Sequence, residues 1–220
     1  MLKGNMVNIE KTRRLTATAI MCGIAIILSF PFVGTVPLLP VAATVAFLPV
    51  LVTTMTLGLG PGLAVAGVAG VASMIRGFVA PLGLLGIYFQ NPLISVLPRL
   101  MIPVAVWLCY KGLMAIPLSK GIDKAPLAVG ISAAVGSLTN TAAVLGSLYL
   151  YYAMPLRNGG PLLAFHPPLS GLENQTIMES GVSTFLFGIV ATNGVMEVII
   201  NTLLAAVLVL TLRNAKFAKV

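Results

Sequence analysis

Residues 91–103 read NPLISVLPRLMIP. An arginine, Arg99, stands in an apolar run between Pro98 and Pro103, and the run continues as VAVWLCYKGL. A helix needs about 20 residues to cross the hydrocarbon core of a bilayer, and residues 92–115 supply that length. The stretch therefore reads as a membrane helix that carries a permanent positive charge, which raises the question of what holds the charge there. The rest of the chain gives the setting. Of 220 residues, 58% are hydrophobic and only 8% charged, and the mean hydropathy is +1.04. A soluble domain carries about 25% charged residues, so this chain has too few to cover a water-facing surface. It reads as an integral membrane protein. Its 22 glycines and 15 prolines fit that reading, because both are frequent in membrane helices and small residues let helices approach closely.

Six segments are long and apolar enough to be spans: residues 13–31, 41–58, 61–79, 92–115, 125–152 and 180–212. Pro49 is expected to kink the second, and GLGPG, residues 58–62, to make a tight turn into the third. The first span follows Lys11, Arg13 and Arg14 but lacks a convincing cleavage site, so it is read as a span rather than a signal peptide. The basic residues set the orientation. Lys3, Lys11, Arg13 and Arg14 precede the first span, Lys111, Lys120 and Lys124 lie around the fourth-to-fifth connection, and Arg213, Lys216 and Lys219 end the chain. With six spans these groups fall on one side, which the positive-inside rule makes cytoplasmic. The expected architecture is an all-α, compact bundle of six transmembrane helices with both termini cytoplasmic. A basic segment 1–12 precedes the membrane domain 13–212, and a basic tail 213–220 follows it. The net charge of +8 is accounted for by this rule, so nucleic acid is not an expected partner. The connections on the opposite face, 32–40, 80–91 and 153–179, are long and rich in Pro and Gly, and long loops often carry function.

Ionisable residues within spans are costly and are functional candidates by default. Arg76 falls at the outer end of the third span, Arg99 about two turns into the fourth, and Glu197 in the outer half of the sixth. Asn193 and Asn201 flank Glu197 at four-residue spacing, which puts the three on one helical face. Arg99 and Glu197 come from similar depth and can neutralise each other as a structural ion pair, or Arg99 can hold an anionic ligand. The two roles are compatible, because a guanidinium has five donors and a carboxylate uses two. Arg76 is either a second anion clamp or a side chain reaching for the headgroups. Asn140, flanked by Thr139 and Thr141, is either interhelical glue or a pocket wall. Tyr88, Gln90 and Asn91 line a pocket mouth or form an interfacial cap. Pro98 can free a backbone carbonyl toward a cavity.

Catalytic and metal constellations are not found. Cys22 and Cys109 lie in separate spans without pairing or ligand spacing, and His166 has no ligand partners. The chain has no HExxH, no GxSxG and no phosphate-cradling GxxxxGK[ST] motif. It reads as neither an enzyme nor an ATPase, with no bound metal or cofactor. Ala19 and Gly23 form a small-xxx-small pair on the first span, suited to internal packing or to another helix.

Several stretches, taken in order, resemble the substrate-binding S components of energy-coupling factor (ECF) vitamin transporters. GLGPGLAVAGVAGVASMIRGF is similar to the family's turn and third helix, NPLISVLPRLMIPVAVWLCYKGL to its fourth, and VGSLTNTAAVLGSLYL to its fifth. The resemblance covers residues 13–212. It implies an outward-facing vitamin pocket and a subunit that docks on a transmembrane scaffold carrying two ATPases. Those partners would use ATP and Mg, and the subunit would topple to release its cargo inward. It implies a bacterial plasma membrane, and it aligns Ala19 and Gly23 with the family's AxxxA docking motif, with glycine in place of the second alanine. Pro103 stands where a glycine is often found. The resemblance is nearest the branch with pantothenate and riboflavin carriers. Arg76 and Arg99 suit a carboxylate, and the pocket candidates are short on aromatics to stack a flavin, which favours pantothenate. The alternatives are another vitamin, such as riboflavin or folate, or a stand-alone ion-coupled transporter using Glu197.

Overall fold

The computed structural model describes residues 2–30, 35–36, 43–81, 86–116, 123–150 and 194–215. Within them the chain is helical apart from one small antiparallel ladder, in which Thr35 of β1 (Thr35–Val36) pairs with Thr44 of β2 (Ala43–Thr44). The helices are α1 (Leu2–Ser29), α2 (Leu48–Leu57), α3 (Leu59–Val79), α4 (Pro92–Ser95), α5 (Leu97–Ala115), α6 (Ala125–Leu148) and α7 (Val195–Asn214), with a 3₁₀ turn at Gly86–Gln90. Five stretches are long and apolar enough to cross a membrane: Ile9–Ser29, Leu59–Val79, Pro92–Ala115, Ala125–Leu148 and Val195–Asn214. The expected third, fourth and fifth spans are thus present close to their expected bounds. The first helix runs back through the basic residues to Leu2, and the segment 180–193 of the expected sixth lies outside the described residues.

The second span differs from expectation. Residues 43–44 are extended and paired, and the helix begins only at Leu48, with Pro49 in its first turn. Proline's fixed φ and missing N–H suit the first turn of a helix, where the N–H has no intrahelical partner in any case. Pro49 therefore initiates α2 instead of kinking a longer helix. At about 1.5 Å per residue, α2 spans roughly 15 Å, about half a bilayer core. It is buried nearly all round, from Leu48 to Thr56, as an apolar helix at the centre of a bundle should be. It contacts α1, α3, α5, α6 and α7, and Val50, Leu51 and Val52 anchor a core shared with Val65, Ile102, Val106, Val129 and Ala205. The peripheral helices α1 and α7 instead expose Ile20, Ile27, Leu203 and Val207, a surface that suits lipid.

The turn between α2 and α3 shrinks to one residue, Gly58, at φ 100°, which a side chain would strain. The fourth span is broken at Val96. There α4 ends, and α5 runs on through Pro103. Antiparallel packing orders the rest. Lys124 Nζ donates to the carbonyl of Ile116, joining the end of α5 to the start of α6, and Arg213 meets Asp123 at 3.4 Å, joining the end of α7 to the start of α6. These contacts define a basic end of the bundle. The opposite end holds Arg76, the 3₁₀ turn and Arg99.

Candidate functional site

The arginine end is built on a close approach. Between the two faces of α3 that point at α4 and the 3₁₀ turn, a Cβ on Gly70 would come within 2.9 Å of the Val96 Cα. One on Gly77 would come within 2.9 Å of the Gln90 nitrogen and 3.0 Å of the Phe89 carbonyl carbon. Backbone cannot yield as a side chain tip can, so glycine at these two positions lets α3 pass against the break in the fourth span. The Gln90 side chain fastens the turn by donating to the Gly77 carbonyl at 3.0 Å. Asn91 caps α4, its Oδ1 accepting from the Leu93 N–H at 3.0 Å, and the Ser95 hydroxyl donates to the Asn91 carbonyl at 3.0 Å. The described bonds of Gln90 and Asn91 thus go to backbone, which is what a cap does. Tyr88 is buried beside them.

This scaffold brings Arg76 and Arg99 together around one ring. The guanidinium carbon of Arg99 stands 4.8 Å from the centroid of Phe89, and that of Arg76 stands 5.8 Å from it. Both arginines are buried. Each makes one described hydrogen bond, and each bond goes to a carbonyl that a helix leaves open. Arg99 Nη1 donates to the Ile94 carbonyl at 3.3 Å. The N–H that would normally take that carbonyl belongs to residue 98, a proline, which has none. Arg76 Nη1 donates to the carbonyl of Ser29, the last residue of α1, at 3.4 Å, where carbonyls lack an intrahelical partner. The charge noted in the sequence is therefore held by an aromatic face and a carbonyl released by Pro98.

Glu197 does not close an ion pair with Arg99. The ion pairs within 4.0 Å among the described residues are Arg14–Glu10 and Arg213–Asp123. Depth explains this. A Cβ on Gly136 would touch Ile102 and Val106 of α5, so Arg99 and Asn140, one turn further along antiparallel helices, share a level. Gly130 faces Thr202, which sets Glu197 about one and a half turns, roughly 7–8 Å, nearer the basic end than Arg99. Glu197 and Asn201 do share a buried face of α7, and Asn201 Nδ2 donates to the Glu197 carbonyl at 2.9 Å. Asn193 lies outside the described residues, as do Arg157 and His166. Asn140 is buried, and its Oδ1 has no hydrogen-bond partner among the described residues. It is a ready acceptor at the level of Arg99.

Phe89 was not among the residues singled out from sequence. The available signal was an aromatic in the connection between two intramembrane arginines. A separate feature lies on the flank of the bundle, where a groove of about 340 Å³ runs between α1 and α3, lined by Ile26, Phe30, Gly67, Val71 and Ile75. Ala19 is exposed and Gly23 has open space beside it, and helical spacing puts both on the face of Ile26 and Phe30.

Two comparisons bear on these arrangements. The family model described as ECF transporter, substrate-specific component, matches residues 13–210. A search of curated proteins finds no match.

Proposed function

The chain belongs to the substrate-specific components of ECF transporters, and on that premise we propose that it captures a carboxylate-bearing vitamin, pantothenate in first place, between Arg76 and Arg99. Membership makes it a multi-pass membrane protein and a substrate-binding subunit rather than an enzyme, associated with an ECF module of scaffold and ATPase subunits. The finer statements are part of the proposal. The fold has six spans, with α2 as the short one. Both termini are cytoplasmic in a bacterial plasma membrane, so the arginine end faces outward. Ala19 and Gly23 meet the scaffold, and ATP with Mg is used by the partner ATPases, whose work topples this subunit and releases the cargo inward.

The observation that carries the ligand assignment is the pair of buried guanidiniums. An arginine in the middle of a membrane helix costs about 2.5–3.5 kcal/mol or more. A desolvated cation–π contact returns about 2 kcal/mol, and a long hydrogen bond to a neutral carbonyl adds little. Each guanidinium has five donors and one described bond. A carboxylate, which takes two parallel N–H bonds from an arginine, supplies the missing charge and acceptors together. At the same depth, Asn140 Oδ1 offers an acceptor to a hydroxyl or amide N–H. Pantothenate carries a carboxylate, an amide and two hydroxyls, so its functional groups match that set. Glu197 and Asn201 would form the α7 wall, Asn193 joins the proposal on its sequence spacing alone, and Tyr88, Gln90 and Asn91 would fix the turn above it.

The test is calorimetry on the purified full-length chain in mild detergent. One-to-one binding of pantothenate is expected, weakened about 100-fold by Arg99→Ala, or about 2.7 kcal/mol, with the thermal melt retained. Unchanged affinity in a folded Arg99→Ala variant rejects the assignment.

A further inference from the structure

Two like charges are buried at the arginine end, and the group they share is a hydrocarbon ring. A carboxylate in that place would hold them more strongly, and it would also neutralise one charge and occupy its donors. A ring face does neither. Its quadrupole attracts a cation over the face, yet it brings no net negative charge and no lone pair for an N–H. The described bonds of Arg76 and Arg99 show the consequence: apart from the ring, each has one carbonyl contact, at 3.4 and 3.3 Å, at or beyond the long edge of normal geometry. Phe89 is also rigidly mounted. It lies in the 3₁₀ turn whose backbone packs against Gly77 and whose next residue, Gln90, is tied to the Gly77 carbonyl. Arg76 is the residue before Gly77, so turn and arginine share one anchor.

We infer that Phe89 is a positioning residue for charge selection: its ring holds Arg76 and Arg99 side by side and leaves their charge and donors to the ligand, so that the site distinguishes a carboxylate from its uncharged counterpart. This rests on the anionic-ligand reading above. It goes beyond it in assigning the discrimination to a residue that touches no ligand charge itself.

The experiment compares matched probes on the purified full-length chain by calorimetry: pantothenate against pantothenol, and biotin against biotin amide, with wild type, Phe89→Leu and Phe89→Trp. Wild type is expected to prefer the carboxylate of at least one pair by about 100-fold. Phe89→Leu, which keeps an apolar side chain, is expected to cut that preference to about tenfold or less by weakening the carboxylate alone, leaving the neutral probe within about twofold of wild type. Phe89→Trp, whose ring binds cations best, is expected to restore the preference. Equal weakening of both probes by Phe89→Leu, or a preference untouched by it, overturns the role of Phe89 and leaves the anionic-ligand reading standing. A wild type that prefers no carboxylate in either pair overturns that reading, and this inference with it. Retention of the wild-type melting temperature in Phe89→Leu separates a lost platform from a lost fold.

Discussion

The two ends of the bundle handle arginine in opposite ways. At the basic end, Arg213 faces Asp123 at 3.4 Å, with 39% and 67% of the two side chains exposed. An exposed pair of this kind contributes about 0–1 kcal/mol and is screened by salt. Asp123 also holds the start of α6, its Oδ1 accepting from the Ala125 N–H at 3.1 Å, so its role is local. At the other end Arg76 and Arg99 are buried, share a ring, and have no acid within 4.0 Å among the described residues. The contrast separates an arginine that finishes a fold from arginines that the fold keeps ready. In the first case the partner is in the chain and water does most of the work. In the second, burial makes the charge expensive and the neighbours reduce that cost without cancelling the charge.

Substitutions at the two ends test this difference. The largest effect is expected from Gly77→Leu. The Cβ alone would press on the backbone of Phe89 and Gln90, and overpacking typically costs 1–3 kcal/mol, a fall of about 2–12 °C in melting temperature at 2–4 °C per kcal/mol for a chain of this size. Vitamin binding should be lost as well, because Phe89 and both arginines move together. A variant that melts lower but binds normally would detach the turn from the site. Next comes Arg99→Lys. It keeps the charge but loses the planar fork and the weaker hydration that suit a buried, bidentate contact, and a 10- to 100-fold loss of affinity is expected by calorimetry. Wild-type affinity with lysine would mean that charge alone matters.

A smaller effect is expected from Pro98→Ala. The new N–H can take the Ile94 carbonyl, and Arg99 then loses its one described hydrogen bond. Affinity should fall about threefold to tenfold while the melting temperature stays within a few degrees, since the change lies in the first turn of α5. No change in affinity would show that the Ile94 bond does not set the arginine's position. The smallest effect belongs to the basic end. Asp123→Asn should cost about 1 kcal/mol or less and leave ligand affinity unaltered, and a loss of binding there would break the distinction between the ends.

Much of this was legible in the sequence because membrane helices announce themselves by length and apolarity. The bounds of α3, the Pro92–Ala115 stretch and α6 fall close to those read from residues 61–79, 92–115 and 125–152. The second span was misjudged for a physical reason. Residues 41–58 are uncharged and mostly apolar, and apolarity alone does not separate an extended segment from a helix. The signal lay in Pro49, which starts α2 in this structure. Depth was only roughly legible. Arg99 and Glu197 fall more than a turn apart once Gly136 is seen to face Ile102 and Val106 and Gly130 to face Thr202, and such registers depend on packing that no single helix encodes. The arginines were found because ionisable groups stand out in an apolar run, and the carbonyl freed by Pro98 follows from proline's missing N–H. Phe89 was missed because one more aromatic in a semi-apolar connection carries no mark until α3 and the turn are placed side by side. The partner of Arg76 is a backbone carbonyl, Ser29, and backbone leaves no trace in sequence.

The most direct measurement is an experimental structure of the full-length chain with pantothenate bound. The account predicts the carboxylate within about 2.7–2.9 Å of guanidinium nitrogens on both Arg76 and Arg99, with Phe89 still beneath them and a ligand donor on Asn140 Oδ1. A vitamin whose carboxylate lies elsewhere, with Arg99 still bonded to the Ile94 carbonyl alone, would contradict it.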